Sequence, residues 1–157
     1  MFALQAINLQ VVQSRAHDLV GTWRLLSRID RDAEGKLVDE PTLGSDPVAL
    51  LFFDDAGNFA AQFMKQDRST AVAEPVPARQ NNTTAIGGYD AYFGTYDVDE
   101  MSGDVQTRLI GALSPGQVGA TMSRNMSVEH GKLVIRLTTT TADDKQVHRT
   151  LTWERAN

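Results

Sequence analysis

The stretch Leu19-Val20-Gly21-Thr22-Trp23 decides how the rest of the chain is read. A glycine lets the backbone turn sharply or approach a neighbour closely. A tryptophan two residues later supplies one large apolar side chain able to plug the end of a barrel. The matching stretch stands near the other terminus, Leu151-Thr152-Trp153-Glu154-Arg155, where Arg155 can lay its flat guanidinium over an indole ring. Gly21, Trp23, Trp153 and Arg155 together predict that the first and last strands are neighbours and that the sheet closes on itself, leaving no exposed edge. The simpler alternative makes Trp23 an ordinary core residue and Arg155 an ordinary surface charge.

The chain between the two stretches reads as strands joined by turns. The first strand is expected over 21–31, followed by the turn Asp32-Ala33-Glu34-Gly35-Lys36 and a loop holding Pro41, Gly44 and Pro47. Val48–Phe53 and Asn58–Met64 flank Asp54-Asp55-Ala56-Gly57 as a hairpin. Further strands are predicted over 92–99, 105–113, 120–128, 133–140 and 147–155, linked by tight turns. The sum is an all-β, up-and-down antiparallel barrel of about eight strands, with an open sandwich as the structural alternative. An eight-stranded barrel is wide enough inside to hold one small ligand. The run Leu50-Leu51-Phe52-Phe53 is apolar on both faces, so its outer face calls for cover by the N-terminal segment or by a second subunit in a homodimer. Residues 65–88 form a long irregular segment with the character of a lid.

A length of 157 residues fits one domain, here 19–157 with a lead-in segment 1–18 that includes a short helical turn at Ala16-His17-Asp18. A net charge of −5 disfavours nucleic acid and anionic membranes as partners. The absence of cysteine excludes disulfides and thiolate chemistry. Met1 to Gln13 lacks the early positive charge of a secretory signal and no stretch is long and apolar enough to span a bilayer, so a cytoplasmic location is expected.

The two terminal stretches, with Asp46-Pro47-Val48, Ala61-Gln62-Phe63-Met64-Lys65-Gln66-Asp67-Arg68 and Gly88-Tyr89-Asp90-Ala91-Tyr92-Phe93-Gly94-Thr95-Tyr96, resemble the bacterial and fungal lipocalin-like domain family. The resemblance covers about 19–155 and implies a small calycin-type β-barrel with a central cavity, and no single function. Some similar domains sit beside secondary-metabolite genes. The family pattern has polar residues, histidines and an acid among them, in the strand that here carries Thr107, Arg108 and Ile110, and an aromatic residue where this chain has Gln117. No catalytic role is therefore carried over to that strand.

Strand alternation assigns the faces. Met122, Arg124, Met126 and Val128 share one face, and Val147, Arg149, Leu151, Trp153 and Arg155 share another. If the apolar sets look inward, Arg124 is inside the barrel and stays charged there. It then pairs with an internal carboxylate, bonds backbone carbonyls or awaits an anionic ligand. Tyr92, Tyr96 and Val98 are expected to point inward, with Phe59, Ala61 and Phe63 lining the hairpin. The ligand-binding set is accordingly Arg124, Tyr96, Tyr92, Met122, Met126, Arg149 and Phe63, around an apolar cavity suited to an amphipathic molecule with an acidic or phenolic head.

His17, His130 and His148 share no strand face, so no metal site is expected. No nucleophile elbow, phosphate loop or dinucleotide-binding glycine pattern is present, and no cofactor is expected. The leading reading is a binder of a small hydrophobic, acidic or phenolic metabolite. The alternatives are a cofactor-independent cyclase, isomerase or lyase of secondary metabolism, with Arg and Tyr stabilising an oxyanion, and a filled barrel acting only in protein interaction.

Overall fold

The computed structural model describes residues 14–70, 81–140 and 144–156. Most of the lead-in and the centre of the long loop lie outside them. Ser14 caps a five-residue helix, α1 (Arg15–Leu19), by accepting a hydrogen bond from the His17 amide at 3.1 Å. Eight strands follow: β1 (Gly21–Arg31), β2 (Val48–Phe53), β3 (Asn58–Met64), β4 (Tyr89–Val98), β5 (Asp104–Ala112), β6 (Thr121–Glu129), β7 (Lys132–Thr140) and β8 (Gln146–Arg155). Each pairs antiparallel with the next, and β1 pairs with β8, so the barrel is closed in simple up-and-down order.

The closing seam follows the expected chemistry. Trp23 lies opposite Arg155, fully buried, and its indole N–H donates to the Leu19 carbonyl at 2.8 Å. The Arg155 guanidinium lies 4.2 Å above the Trp23 ring and donates to the carbonyls of Val20 and Asp18 at 2.8 and 2.9 Å. Gly21 has φ +134°, and a Cβ there would stand 2.7 Å from Arg155 Nη1. The glycine is thus required twice, by its backbone angle and by the cation pressed on it.

Two irregularities re-aim side chains. In β1 the pairing with β8 shifts between Leu25 and Ser27. Trp23 and Leu25 pack inward before the shift, Leu26 is turned toward solvent, and Arg28 and Asp30 point inward after it. In β4 a second shift falls between Phe93 and Gly94, where the strands approach so closely that a Cβ on Gly94 would meet the Arg108 carbonyl oxygen at 1.8 Å.

β4 begins at Tyr89, ahead of the expected Tyr92. Gly87 and Gly88 adopt positive φ and deliver the chain to the end of β3, where Tyr89 pairs with Met64 and the Lys65 amide donates to the Gly88 carbonyl at 2.7 Å. Pairing with a neighbour extends the strand up to the glycines. On β2 the inward residues Ala49, Leu51 and Phe53 are buried, while Leu50 and Phe52 remain 36% and 37% exposed on the outer face.

Candidate functional site

The interior is layered from the Trp23 floor upward. Above the floor lies an apolar chamber lined by residues that include Phe53, Phe59, Met122, Met126, Ile135 and Trp153. Above that lies a polar chamber whose wall includes Arg28, Asp90, Arg149, Asn82 and Thr83. Phe63, Tyr92, Arg124 and Leu151 line both and form the waist between them. Each chamber has a volume of about 50 Å³, several water molecules in size. Aromatic rings brace the waist from below: Phe63 meets Trp153 edge-on with centroids 5.7 Å apart and stacks beside Tyr92 at 6.4 Å.

Three arginines and three carboxylates enter the upper half of the barrel. Arg149 meets Asp30 through two bonds, Nε to Oδ1 at 2.7 Å and Nη2 to Oδ2 at 2.8 Å. Arg28 meets Glu40 at 2.9 Å. Burial pushes the Glu40 carboxyl up, but Arg28 and hydrogen bonds from Thr42 and Leu43 outweigh it and hold the group below the usual range. These four side chains neutralise one another. Arg124 and Asp90 do not join them.

Arg124 is 9% exposed and has no carboxylate partner among the described residues. It donates to Asn81 Oδ1 at 2.8 Å, to the Ser123 carbonyl at 2.9 Å and to Met122 Sδ at 3.3 Å. Burial, with Arg149 adding repulsion, pushes its pKa down to about 10, so it remains a cation at neutral pH. Asp90 is 3% exposed and accepts a hydrogen bond from the Thr83 hydroxyl. Burial dominates its environment and carries its pKa up to about 6, against the opposing pull of Thr83, the Ala91 amide and Arg28. Burial, joined by the Asp90 charge, pushes the Tyr92 phenol up to about 12, against the opposing pull of Arg124, Thr83 and Arg149. The indole N–H of Trp153 is buried with no hydrogen-bond partner among the described residues.

The end of the long loop roofs the barrel. Asn81, with φ 58°, donates to the Ser123 and Thr138 carbonyls at 3.2 and 3.1 Å. Asn82 accepts from Arg149 at 3.3 Å. Gln117, buried in the β5–β6 turn, accepts from the Thr84 amide at 3.0 Å and donates to the Asn82 carbonyl at 3.1 Å. Gln117 is therefore the clasp of the roof.

The structure gathers six of the seven expected ligand-binding residues around the chambers. Arg124, Tyr92 and Phe63 form the waist, Met122 and Met126 line the lower chamber, and Arg149 lines the upper one. Tyr96 stands apart. It is buried against Phe53, its ring centroid 4.9 Å away, and its hydroxyl donates to the Asp54 carbonyl at 2.6 Å, so it lines neither chamber. Its position belongs to the floor because β4 runs past the chambers into the β2–β3 turn. Sequence reading missed Arg28, Asp30, Glu40, Asp90 and Thr83. For Asp90 the signal was present: it precedes Tyr92 by two residues and shares its face.

Among the described residues no three of His, Asp and Glu gather as a metal site, and no helix is long and apolar enough to cross a membrane. A family model described as a lipocalin-like domain matches residues 20–156. No curated protein matches the chain.

Proposed function

The chain belongs to the lipocalin-like domain family, and from that premise we propose that its barrel binds a compact amphipathic molecule, with the apolar body in the lower chamber and an acidic or phenolic head against Arg124. The observation that carries this reading is Arg124 itself, a buried cation at the waist whose described partners are all uncharged. An unpaired buried charge is costly, and an anionic head would relieve it with paired, charge-assisted hydrogen bonds. The unpartnered Trp153 indole N–H offers a second donor in the lower chamber. Chambers of about 50 Å³ each favour one ring or a short chain over a long lipid. A chain without cysteine is at ease in a reducing compartment, in keeping with a cytoplasmic binder.

Titration with 4-nitrophenol tests the reading, because the ionised form absorbs in the visible and reports its own charge state. The parent protein is expected to bind the anion, and Arg124→Met to weaken it by about tenfold or more, the value of a hydrogen bond to a charged group. Binding of uncharged 4-nitrotoluene is expected to change little. Equal affinity of parent and variant for the anion would remove Arg124 as the anion site.

A further inference from the structure

Asp90 has no place in a site that only binds an anion. It puts a carboxylate into the upper chamber that an acidic ligand would share, makes no ion pair among the described residues, and is nevertheless 3% exposed. Its second feature is its surroundings: Asp90 Oδ2 accepts from Thr83 Oγ1, and Asp90, Thr83 and Tyr92 line the same upper chamber. Tyr92 in turn shares the waist with Arg124. A carboxylate, a hydroxyl, a phenol and a guanidinium thus stand around one chamber.

Resting on the binding reading above, we propose that this constellation is an acid–base centre that moves a proton within a small enolisable carbonyl compound, with Asp90 as the base and Arg124 and Tyr92 as the partners of the oxygen that becomes negative. The Asp90 carboxylate takes the proton from the carbon next to the carbonyl. The C–H electron pair becomes the carbon–carbon double bond of the enolate, and the carbonyl π pair moves onto oxygen, where Arg124 and Tyr92 stabilise it. Return of the proton from Asp90 to that oxygen, or to the far end of a conjugated system, completes an isomerisation. No oxidant, reductant or second substrate is needed.

With Asp90 ionised, the Thr83 hydroxyl donates to it and holds the carboxylate in place. The Tyr92 hydroxyl, on the wall of the same chamber, donates to the substrate oxygen as that oxygen gains charge. Tyr92 is suited to the part because it stays protonated throughout the neutral range. Thr83 is a positioning residue. Other charged groups around the chamber are Arg28 and Asp30 on β1, Glu40 in the β1–β2 loop and Arg149 on β8; of these, only Arg28 adds a pull on the Asp90 carboxyl, and it favours ionisation.

Phenylpyruvate, an aromatic oxo acid with an enolisable methylene, is the probe. Its binding is measured by titration, and its enol-to-keto conversion by the decay of enol absorbance. The parent is expected to exceed Asp90→Asn by about a hundredfold in rate, the usual scale of a positioned base, while the two bind within about threefold of each other. Tyr92→Phe is expected to lose about tenfold. Tyr96→Phe, outside both chambers, is expected to leave the rate unchanged. The parent rate is expected to rise with pH through the range where Asp90 ionises and then level off, and Thr83→Val to move that midpoint upward, since the Thr83 hydrogen bond favours the ionised form. A probe that binds but converts no faster on the parent than on Asp90→Asn, or a parent rate flat with pH from 4 to 8, overturns the proposal. Failure of the parent to bind the probe shows in the titration, before any chemistry, and would overturn the binding reading and this proposal with it.

Discussion

Arg149 on β8 and Asp30 on β1 stand directly opposite each other across the closing seam and hold together through two parallel hydrogen bonds of 2.7 and 2.8 Å. Both side chains are almost fully buried. Removing one partner leaves the other charged and unpaired, which costs about 3–5 kcal/mol, whereas replacing both by apolar side chains of similar size is often near neutral. Asp30→Ala is expected to fall in that range in urea unfolding, and the double variant Asp30→Leu/Arg149→Met to recover most of the loss. A double variant as unstable as the single one would show that the pair does more than neutralise itself.

The floor gives a second expectation. Arg155→Ala removes a cation lying on Trp23 and two hydrogen bonds to the carbonyls that end α1. A loss of about 1–2 kcal/mol follows, a fall of roughly 2–8 °C in melting temperature for a chain of this size. Gly21→Ala is expected to cost more in the parent than in the Arg155→Ala background, because the clash with Nη1 is absent there while the strain of φ +134° persists. Calorimetry of the four proteins measures the difference.

Asp90 predicts the pH dependence of stability. Its pKa is 3.8 unfolded and about 6 folded, so the folded state binds the extra proton. The contribution is fully present below pH 4 and is lost as pH rises through 6, a change of about 3 kcal/mol by neutral pH. Asp90→Asn is expected to lack that slope: more stable than the parent at pH 7 and close to it at pH 4. Urea midpoints at both pH values read the effect, and parallel curves for the two proteins would contradict the buried carboxylate described here.

Gln117 makes the fourth. Its amide is buried and bonded to the Thr84 amide and to the Asn82 carbonyl. Gln117→Ala leaves both without a partner, at a cost of about 1–3 kcal/mol. The loss is expected to be local. Hydrogen exchange at the Thr84 amide is expected to speed up by at least tenfold, while amides in the β7–β8 pair keep their protection.

The barrel was legible because its strands keep the period of two from turn to turn. β6, β7 and β8 bury every second residue, from Met122 to Met126, from Leu133 to Thr139 and from Val147 to Trp153, and the faces assigned to Met122, Arg124, Met126, Arg149 and Trp153 are those observed. The site was legible only where alternation held. Counting from Trp23 in steps of two puts Arg28 and Asp30 on the outside, and only the extra residue near Leu26 brings them in. Thr83 reaches the chamber, and Glu40 reaches the chamber's Arg28, from loops, which carry no period at all. Asp90 falls outside the strand expected from Tyr92, because Gly87-Gly88 reads as the end of the irregular segment, whereas β4 begins directly after it at Tyr89.

The shift in β1 makes one strand carry two phases. Below Leu26 odd-numbered positions supply the grease of the plug; above it even-numbered positions supply the charges of the upper chamber. A single codon therefore keeps the two halves of the strand out of step. Drawing Leu26 into the regular ladder would change no side chain, yet it would turn the upper half of β1 over, sending Arg28 and Asp30 to the solvent and offering Ile29 to Arg149.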